Sequence, residues 1–497
     1  MHALHLPALR PHLHVLLLLL VAVGATSLVP ATATATARAA ACPAAPEGRC
    51  FSLTVPLDRS GVVPGTIRLR AAKIASRRPL RPPVIGLTGG PGQAGVSYAS
   101  TYDFIVPMAN RDLVMLDQRG TGASGLLRCP NLERPGQRFP RGARGETCAQ
   151  HLGVRRSFYT SADSAEDIEA LRIRLGAPQI AFYALSYGTR VAVEYARRYP
   201  HRVERMILDS PVGPHAPDSL AREVLGAVPR VLHALCATGC YGAEEHPVAD
   251  LRRLVARLRR APIRHVLAPG RFVAVSVDDL ARLLRGSDTE PEFMRRIPEA
   301  VRAALVGNPL PLVRLRLERR GGGNRDSIAE LNPTITTVTQ CEEATLAWDH
   351  AATPEQRVIQ ARAALDATSD AIFRAFDRPT ALNLGLLRLC GRWPARERVV
   401  APPPPLPTRV PSLILSGELD LRTPLENARR LAAALHGRVV VEPGAGHFAL
   451  YFGFDGCTRP AVKAFLAERA LPTCRGGGSV AVGVAAARAA VRPPAGR

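Results

Sequence analysis

The hydrophobic and polar positions of the chain change their period along its length, and the change predicts which segments are strands and which are helices. Helical periods with end signals, such as 164–175 before Gly176 and 190–198 before Pro200, alternate with short apolar runs bounded by turn residues. The apolar runs are 84–87, 113–116, 179–183, 206–208, 412–415 and 439–442. Strands that alternate with helices predict an α/β fold with a mostly parallel sheet flanked by helices.

The strand pattern stops between residues 216 and 396. This stretch is rich in Leu, Arg and Ala and shows amphipathic helical periods, for example over 218–236 and 248–260. A proline-rich connector, APPPPLP, then leads into the apolar run VPSLILSG. The order predicts one α/β core, formed by residues 42–215 and 397–475, with residues 216–396 inserted as a helical cap.

Both ends of the chain are predicted to lie outside this core. Arg10 precedes the apolar run 15–25, and small residues follow as far as Ala41, a pattern typical of a secretory signal peptide over residues 1–41. The run is shorter than the about 18–20 apolar residues that span a bilayer, so stable membrane insertion is not expected. Residues 476–497 are low in complexity and predicted to be disordered. The signal peptide predicts a secreted, extracellular protein.

Ten cysteines agree with an oxidising compartment. Their spacing suggests pairing between neighbours along the chain, although the sequence does not fix the connectivity. None of them has zinc-type spacing with a histidine partner, so a metal site is the weaker interpretation. The suggested pairs are Cys42–Cys50, Cys129–Cys148, Cys236–Cys240, Cys341–Cys390 and Cys457–Cys474.

The formal net charge of +23 raises the question of a nucleic-acid partner. The arginines, however, are spread over the whole chain, and Lys73 and Lys463 are the only lysines. A bias toward Arg, Ala and Pro explains the charge better, so no nucleic-acid partner is expected. Association of a basic surface with anionic cell walls stays open.

The stretch FYALSYGTR, residues 182–190, carries an apolar run straight into Ser186 and then into a helical pattern. A nucleophilic serine needs a strained strand-to-helix turn with small neighbours. Gly188 meets that need after the serine, and Ala184 replaces the glycine usual before it. The alternative is a serine that only caps the helix.

Two later segments favour the nucleophile. LILSGELDLRTP places Asp420 just after a predicted strand, and VVVEPGAGHF places His447 after the next strand. The order Ser, Asp, His, each at the carboxyl end of a strand, is that of a hydrolase triad on an α/β sheet. Asp209, after the strand that contains 206–208, is the rival acid.

Two glycine-rich turns complete the predicted site. LTGGPGQAG follows a buried strand and can turn backbone N–H groups toward a cavity, as an oxyanion hole requires. The expected donors are the N–H of Gly90, with Gly89 as alternative, and the N–H of Tyr187. In the second turn, LDQRGTGAS, Asp117 and Arg119 are expected to pair with each other and hold the loops.

The motifs GGPG, DQRGTGAS, ALSYGT, GELDLRTP and GAGHF, in this order and spacing, resemble those of secreted tripeptidyl and prolyl aminopeptidases of the α/β-hydrolase superfamily. The resemblance covers roughly residues 50–475 and includes a carboxyl-terminal segment like that of tripeptidyl aminopeptidases. It implies a serine peptidase, without cofactor or metal, that releases amino acids or short peptides from free N-termini. Thr88 stands where prolyl iminopeptidases carry histidine, which favours the tripeptidyl branch.

The cap segment TQCEEATLAWD resembles the cysteine-plus-acid segment that family members place over the active site. A carboxylate there would bind the ammonium group of a peptide substrate, with Glu343 as first candidate and Glu342 as second. The alternative is a solvated helix start, where the helix dipole favours acids. A secreted esterase or lipase on the same fold is the competing function, because a fold does not determine its chemistry.

Overall fold

An eight-stranded sheet forms the centre of the protein. The structure, a computed structural model, describes residue 42 and residues 48–133, 143–215, 218–237, 239–240, 246–321, 327–398, 402–453 and 456–473. The predicted signal peptide (1–41) and tail (476–497) therefore both lie outside the described residues. The strands are β1 (Arg49–Pro56), β2 (Thr66–Ile74), β3 (Val84–Leu87), β4 (Leu113–Leu116), β5 (Ile180–Leu185), β6 (Val203–Asp209), β7 (Ile263–Ala268), β8 (Arg271–Val275), β9 (Ser412–Gly417) and β10 (Arg438–Glu442).

The strand order of the large sheet is β1-β2-β4-β3-β5-β6-β9-β10. The β1–β2 and β2–β4 pairs are antiparallel, and every following pair is parallel. The predicted α/β class with a mostly parallel sheet is confirmed. Because strands β3, β5, β6, β9 and β10 are parallel, the loops that follow them meet at one edge of the sheet, which is where ligands bind in open α/β folds.

Helices cover both faces of this sheet. Alternate residues of β5 belong to different hydrophobic clusters: Phe182 and Ala184 pack on one face, and Ala181 and Tyr183 on the other. The strand is buried on both sides, which explains its continuous apolar sequence. The helices are α1 (Ala99–Ile105), α2 (Ala143–Leu152), α3 (Ser161–Arg174), α4 (Tyr187–Arg198), α5 (Arg222–Cys236), α6 (Pro247–Arg260), α7 (Val277–Gly286), α8 (Pro291–Leu305), α9 (Leu310–Gly321), α10 (Pro333–Glu343), α11 (Pro354–Asp366), α12 (Arg378–Leu384), α13 (Leu387–Cys390), α14 (Leu425–Leu435), α15 (Ala449–Phe452) and α16 (Thr458–Leu466). None of the described helices is long and apolar enough to cross a membrane.

The chain between β6 and β9 carries helices α5–α13 and, in addition, the antiparallel β7–β8 hairpin. The sequence predicted only helices here. The hairpin gives a weak strand signal, because its two strands have only six and five residues and their exposed positions are largely apolar, so the alternation of polar and apolar residues is lost.

Four of the five suggested cysteine pairs are disulfides in the structure. They are Cys42–Cys50, Cys129–Cys148, Cys236–Cys240 and Cys341–Cys390. The fifth, Cys457–Cys474, stays a prediction, because Cys474 lies outside the described residues. A disulfide content of this kind is typical of proteins that fold in an oxidising compartment.

The expected pairing of Asp117 with Arg119 is wrong. The Asp117 carboxylate accepts hydrogen bonds from the backbone N–H groups of Gly95, Val96 and Ala123, at 2.8–2.9 Å. The Arg119 guanidinium pairs instead with Asp167 on α3, with two contacts of 2.7 Å. Both side chains still fix their loops, Asp117 through backbone N–H groups and Arg119 through an acid on α3.

Candidate active site

Ser186 occupies a strained turn between β5 and α4. Its backbone angles are φ 53° and ψ −121°, in a region that residues other than glycine rarely adopt. The Ser186 N–H donates to the Asp209 carbonyl at 2.9 Å, so the turn is tied to the end of β6. The serine side chain does not cap α4. The helix-cap interpretation of Ser186 therefore finds no support in the geometry.

Small residues around the turn allow its close contact with the loop after β3. A Cβ atom on Gly188 would lie 2.7 Å from the Thr88 carbonyl oxygen, and one on Gly89 would lie 2.8 Å from the Ser186 Cβ. Both distances are too short for any residue with a side chain. The β3 loop and the serine turn are therefore packed backbone against backbone.

This packing brings the expected oxyanion-hole donors to the same place. Tyr187 is the first residue of α4, where N–H groups have no partner inside the helix. In the described part of the chain, the N–H groups of Gly90 and Tyr187 donate no hydrogen bond, whereas the Gly89 N–H donates to the Gln93 side chain at 3.2 Å. Of the two glycines, Gly90 is therefore the one whose backbone N–H can donate to a ligand.

Asp420 and His447 form a buried hydrogen-bonded pair. The Nδ1 atom of His447 lies 2.9 Å from Asp420 Oδ2, and both side chains are almost fully buried. Burial alone would raise the pKa of the Asp420 carboxyl, but His447 and the hydrogen bonds from His447 and Thr423 lower that pKa below its usual value. An ionised Asp420 accepts a hydrogen bond from the Nδ1–H group of His447, which leaves Nε2 as the nitrogen that can accept a proton from another group.

The loop after β6 connects the serine turn to the histidine loop. Ser210, which follows Asp209, accepts the Phe448 N–H on its hydroxyl oxygen at 3.0 Å. The Asp209 carboxylate accepts the N–H groups of Ala449 and Leu450, both at 3.0 Å, and burial raises its pKa. Among the described residues, no hydrogen bond joins the Ser186 hydroxyl to His447. Such bonds are often long until a substrate is present.

The turn between cap helices α7 and α8 reaches the histidine loop. The backbone carbonyl of Asp288 accepts the His447 N–H at 2.8 Å. A Cβ atom on Gly446 would lie 1.7 Å from that carbonyl oxygen, so only glycine fits there. The Asp288 carboxylate pairs with Arg422 at 2.8 Å, two residues after Asp420. The cap thus holds the segments that carry both members of the Asp420–His447 pair.

Asp288, Asp420 and His447 also offer ligand-type atoms within 4.8 Å of one another. The arrangement is poorly suited to a metal ion. The Arg422 guanidinium already neutralises Asp288, and Arg285, whose pKa is lowered by burial, lies close enough to both carboxylates to interact with them. A divalent cation here would face two arginines, so we assign no metal to this cluster.

The two acids of the cap segment CEEA have different surroundings. Glu343 lies next to the serine turn: its carboxylate accepts the Tyr187 hydroxyl at 3.2 Å, the Arg190 Nε at 2.8 Å and the backbone N–H of Ser161. Glu342 faces a buried cluster with Arg156 at 3.0 Å and the Trp393 Nε1 at 2.9 Å. Burial raises the pKa of Glu342.

Three further polar residues belong to this site, and the sequence did not single them out. Thr423 places its hydroxyl 2.9 Å from Asp420 Oδ2, 3.2 Å from His447 Nδ1 and 2.8 Å from the Ser210 carbonyl. Thr423 lies within the motif GELDLRTP, so its position near Asp420 was a usable signal. Ser210 and Asp288 belong to no motif, and only the folded chain brings them to the site.

Comparison with known proteins agrees with this architecture. Residues 82–235 match the family described as alpha/beta hydrolase fold, and residues 379–478 match the family described as TAP-like protein. A tripeptidyl aminopeptidase of Streptomyces lividans is 27% identical over 191 residues, which cover 33% of this chain and 36% of that protein. The match thus spans about a third of the relative's length.

Two other relatives differ in how much of the chain they cover. A putative hydrolase of Escherichia coli, YuaR, is 25% identical over 488 residues, covering 88% of this chain and 90% of that protein. The serine protease Hip1 of Mycobacterium bovis is 29% identical over 150 residues, covering 26% of this chain and 29% of that protein. With its sheet order and its two family matches, the chain has the α/β-hydrolase fold, and its carboxyl-terminal part, residues 379–478, matches the TAP-like family.

Proposed function

We propose that the protein is an exported serine aminopeptidase that releases amino acids or short peptides from free N-termini. The observation that carries the proposal is the convergence of the strained Ser186 turn, the Asp420–His447 pair and unpaired backbone N–H groups at one sheet edge. The peptidase names of the relatives and the TAP-like segment support the substrate class. The four disulfides support export.

Acylation begins with the Ser186 hydroxyl. As it attacks the scissile carbonyl carbon, its proton passes to His447 Nε2, and the resulting imidazolium keeps its Nδ1–H bond to the ionised Asp420. The histidine then donates that proton to the leaving amine, the C–N bond breaks, and an acyl-enzyme ester remains on Ser186. Water attacks this ester in the second half-reaction, with His447 again accepting and returning the proton.

The negative charge that develops on the carbonyl oxygen needs fixed donors. The N–H groups of Gly90 and Tyr187 are proposed to supply them, since neither has a partner in the described chain. The tight packing of Gly89 and Gly188 fixes the backbone that carries these donors. Stabilisation by such fixed dipoles is usually the largest single contribution to acyl transfer.

Selectivity for a free N-terminus is assigned to Glu343. A carboxylate can accept about four hydrogen bonds. Among the described residues, Glu343 Oε1 has two partners, Tyr187 and Ser161, and Oε2 has one, Arg190, so one acceptor position remains. A substrate ammonium in that position would lie near the hydroxyl of Tyr187, whose backbone directly follows the nucleophile. Glu342 is less suited, because its partners Arg156, Ser157 and Trp393 are all buried. None of them belongs to α4, the helix that begins at the serine turn and that Glu343 contacts through Tyr187 and Arg190.

Glu343→Gln is expected to lower kcat/KM for free-amine peptides about tenfold to a hundredfold relative to ester hydrolysis. A charge-assisted hydrogen bond to the ammonium would be lost, and losing such a bond typically costs about 1.5–3 kcal/mol. The measurement compares an alanyl peptide nitroanilide with a p-nitrophenyl ester on the same enzyme preparation. The ratio matters, because loss of the Tyr187 and Arg190 contacts alone would slow both substrates alike.

Glu194→Gln is the matched control. Like Glu343, Glu194 forms an ion pair with an arginine of α4, in this case Arg198. Neither sequence neighbour of Glu194 is a predicted site residue. Glu194→Gln should leave the ratio of peptide to ester hydrolysis unchanged. If Glu343→Gln slows peptides and esters equally, Glu343 only supports the fold. If the parent enzyme hydrolyses esters and not peptides, the esterase or lipase alternative replaces the proposed function.

Gly446→Ala is expected to reduce hydrolysis of both substrates at least about a hundredfold and to lower the melting temperature. The added Cβ would lie 1.7 Å from the Asp288 carbonyl oxygen, so the cap turn and the His447 loop must separate. A displacement of about 1 Å in catalytic geometry is enough for a loss of this size. The measurements are steady-state kinetics and thermal unfolding.

Gly286→Ala serves as its control, because it adds the same methyl group two residues from Asp288. A Cβ atom at Gly286 meets nothing within 4 Å. This variant should keep parental activity and stability. Parental activity in Gly446→Ala would show that the contact between the cap turn and the histidine loop does not control the site.

A further inference from the structure

The β7–β8 hairpin of the cap has an apolar outer face. Directly opposed residues of an antiparallel pair lie on the same face. The pair His265–Val273 lies on the inner face, where Val273 is buried, and the next pair, Val266–Phe272, lies on the outer face. Val266 is 69% exposed and Phe272 is 59% exposed, and Leu267, at the register shift, is 43% exposed. A solvent-facing ribbon normally carries polar residues there.

Exposed hydrophobic residues are concentrated around this hairpin. Ten large hydrophobic residues are exposed in the described part of the chain, and three of them are the outer-face residues of β7–β8. Val306 and Leu310, also exposed, lie in and just after the connection between α8 and α9. That connection is near the hairpin, because Arg257 in the last turn of α6 donates to the Ala304 carbonyl at 2.8 Å. Half of the exposed hydrophobic residues thus fall in one part of the cap.

The same region is strongly basic. Residues 251–277 contain seven arginines and neither Asp nor Glu. Three of the arginines are used within the fold: Arg253 pairs with Asp250, Arg259 pairs with Asp377, and Arg257 binds the carbonyl named above. The remaining four have no ion-pair partner among the described residues, and one of them lies over the Phe272 ring at 5.5 Å. These four are Arg252, Arg260, Arg264 and Arg271.

We propose that the β7–β8 hairpin docks the protein on an anionic lipid surface. Val266, Leu267 and Phe272 would enter the boundary between headgroups and acyl chains, while Arg264 and Arg271 would bind lipid phosphates. The apolar residues match the acyl chains of such a surface, and the arginines without an ion-pair partner in the described chain match its anionic headgroups. The free energies of apolar burial and of electrostatic attraction add together. Among the described strands β7 pairs with β8 alone, and the exposure of Val266, Leu267 and Phe272 shows that the outer face of the hairpin is open to solvent. The inference is independent of the proposed chemistry.

The test is co-sedimentation of the purified full chain with vesicles of phosphatidylcholine, with and without phosphatidylglycerol. We expect binding to the phosphatidylglycerol vesicles that weakens as salt is raised. The triple variant V266S/L267S/F272S should weaken binding about a hundredfold. R264Q/R271Q should weaken it about thirtyfold, at about 1 kcal/mol for each arginine near the surface.

The matched control replaces three exposed aliphatic residues elsewhere, V62S/I173S/I359S. This variant should bind vesicles as the parent does. Phe272→Trp gives an optical readout that does not depend on sedimentation, because Trp348 and Trp393 are both buried. Its emission should shift to shorter wavelength on addition of phosphatidylglycerol vesicles.

Three results would overturn the proposal. One is a parent protein that stays in solution with both kinds of vesicle. Another is binding that V266S/L267S/F272S and V62S/I173S/I359S weaken equally. The third is self-association of the parent, measured by analytical ultracentrifugation, that the hairpin variant abolishes while vesicles have no effect, which would assign the face to a second copy of the chain.

Discussion

Replacing Ser186 with alanine is expected to abolish hydrolysis, with kcat lowered at least about 10⁴-fold, and to prevent labelling by a fluorophosphonate. Loss of the serine in hydrolases of this mechanism removes almost all chemistry beyond what binding and the oxyanion hole provide. The fold should be unaffected, because the Ser186 hydroxyl makes no hydrogen bond with any described residue. The measurements are steady-state kinetics, mass-mapped labelling and thermal unfolding.

Ser412→Ala is the matched control. Ser412 is a buried serine at the amino-terminal end of β9, and its hydroxyl donates to the Val410 carbonyl. It should retain parental activity and labelling. The main alternative nucleophile is Ser210, because it lies at the same edge of the sheet. Undiminished labelling of Ser186→Ala, mapped to Ser210 or to any other serine, would refute the assignment.

Asp420→Asn is expected to lower kcat about 10⁴-fold and also to reduce the free energy of unfolding by about 1–3 kcal/mol, because the carboxylate accepts the backbone N–H groups of Arg422 and Thr423. An amide in place of the carboxylate no longer fixes the proton on His447 Nδ1, and the same change in a serine protease has an effect of this size. Asp209→Asn should keep a near-parental kcat and share only the loss of stability. The Asp209 carboxylate accepts two backbone N–H groups and the Tyr183 hydroxyl, so its loss should reduce the free energy of unfolding by about 1–3 kcal/mol.

The comparison of the two variants settles which aspartate serves the histidine. The 2.9 Å contact favours Asp420. Kinetics and chemical denaturation of both variants would be measured side by side. A large kinetic defect in Asp209→Asn with near-parental kinetics in Asp420→Asn would reverse the assignment and make Asp209 the acid of the site.

The sequence predicted those parts of the structure that depend on local pattern. Strand β3 and strand β4 were predicted at their observed bounds, because short apolar runs between turn residues have few alternatives. Asp420 and His447 could be placed at one sheet edge from their positions after consecutive strands, since parallel strands end together. The local spacing of the cysteines was likewise enough to suggest four of the pairs that form.

Contacts between distant segments could not be predicted in this way. Arg119 was expected to bind its neighbour Asp117, but α3 brings Asp167 closer. The Asp288 carbonyl meets His447 only because a cap turn folds back over the core, and no local pattern in 277–291 indicates that. The β7–β8 hairpin could not be predicted because its exposed face is apolar. Half-buried strands are usually recognised by alternating apolar and polar residues, and this hairpin lacks that alternation.

The most direct test of the proposed function is a digest of one peptide in two forms, with a free and with an acetylated N-terminus, and with products identified by mass. The account predicts that the parent enzyme releases an N-terminal amino acid or short peptide from the free form, cleaves the acetylated form poorly, and loses both activities in Ser186→Ala. Equal cleavage of the two forms, or cleavage at internal bonds only, would contradict it.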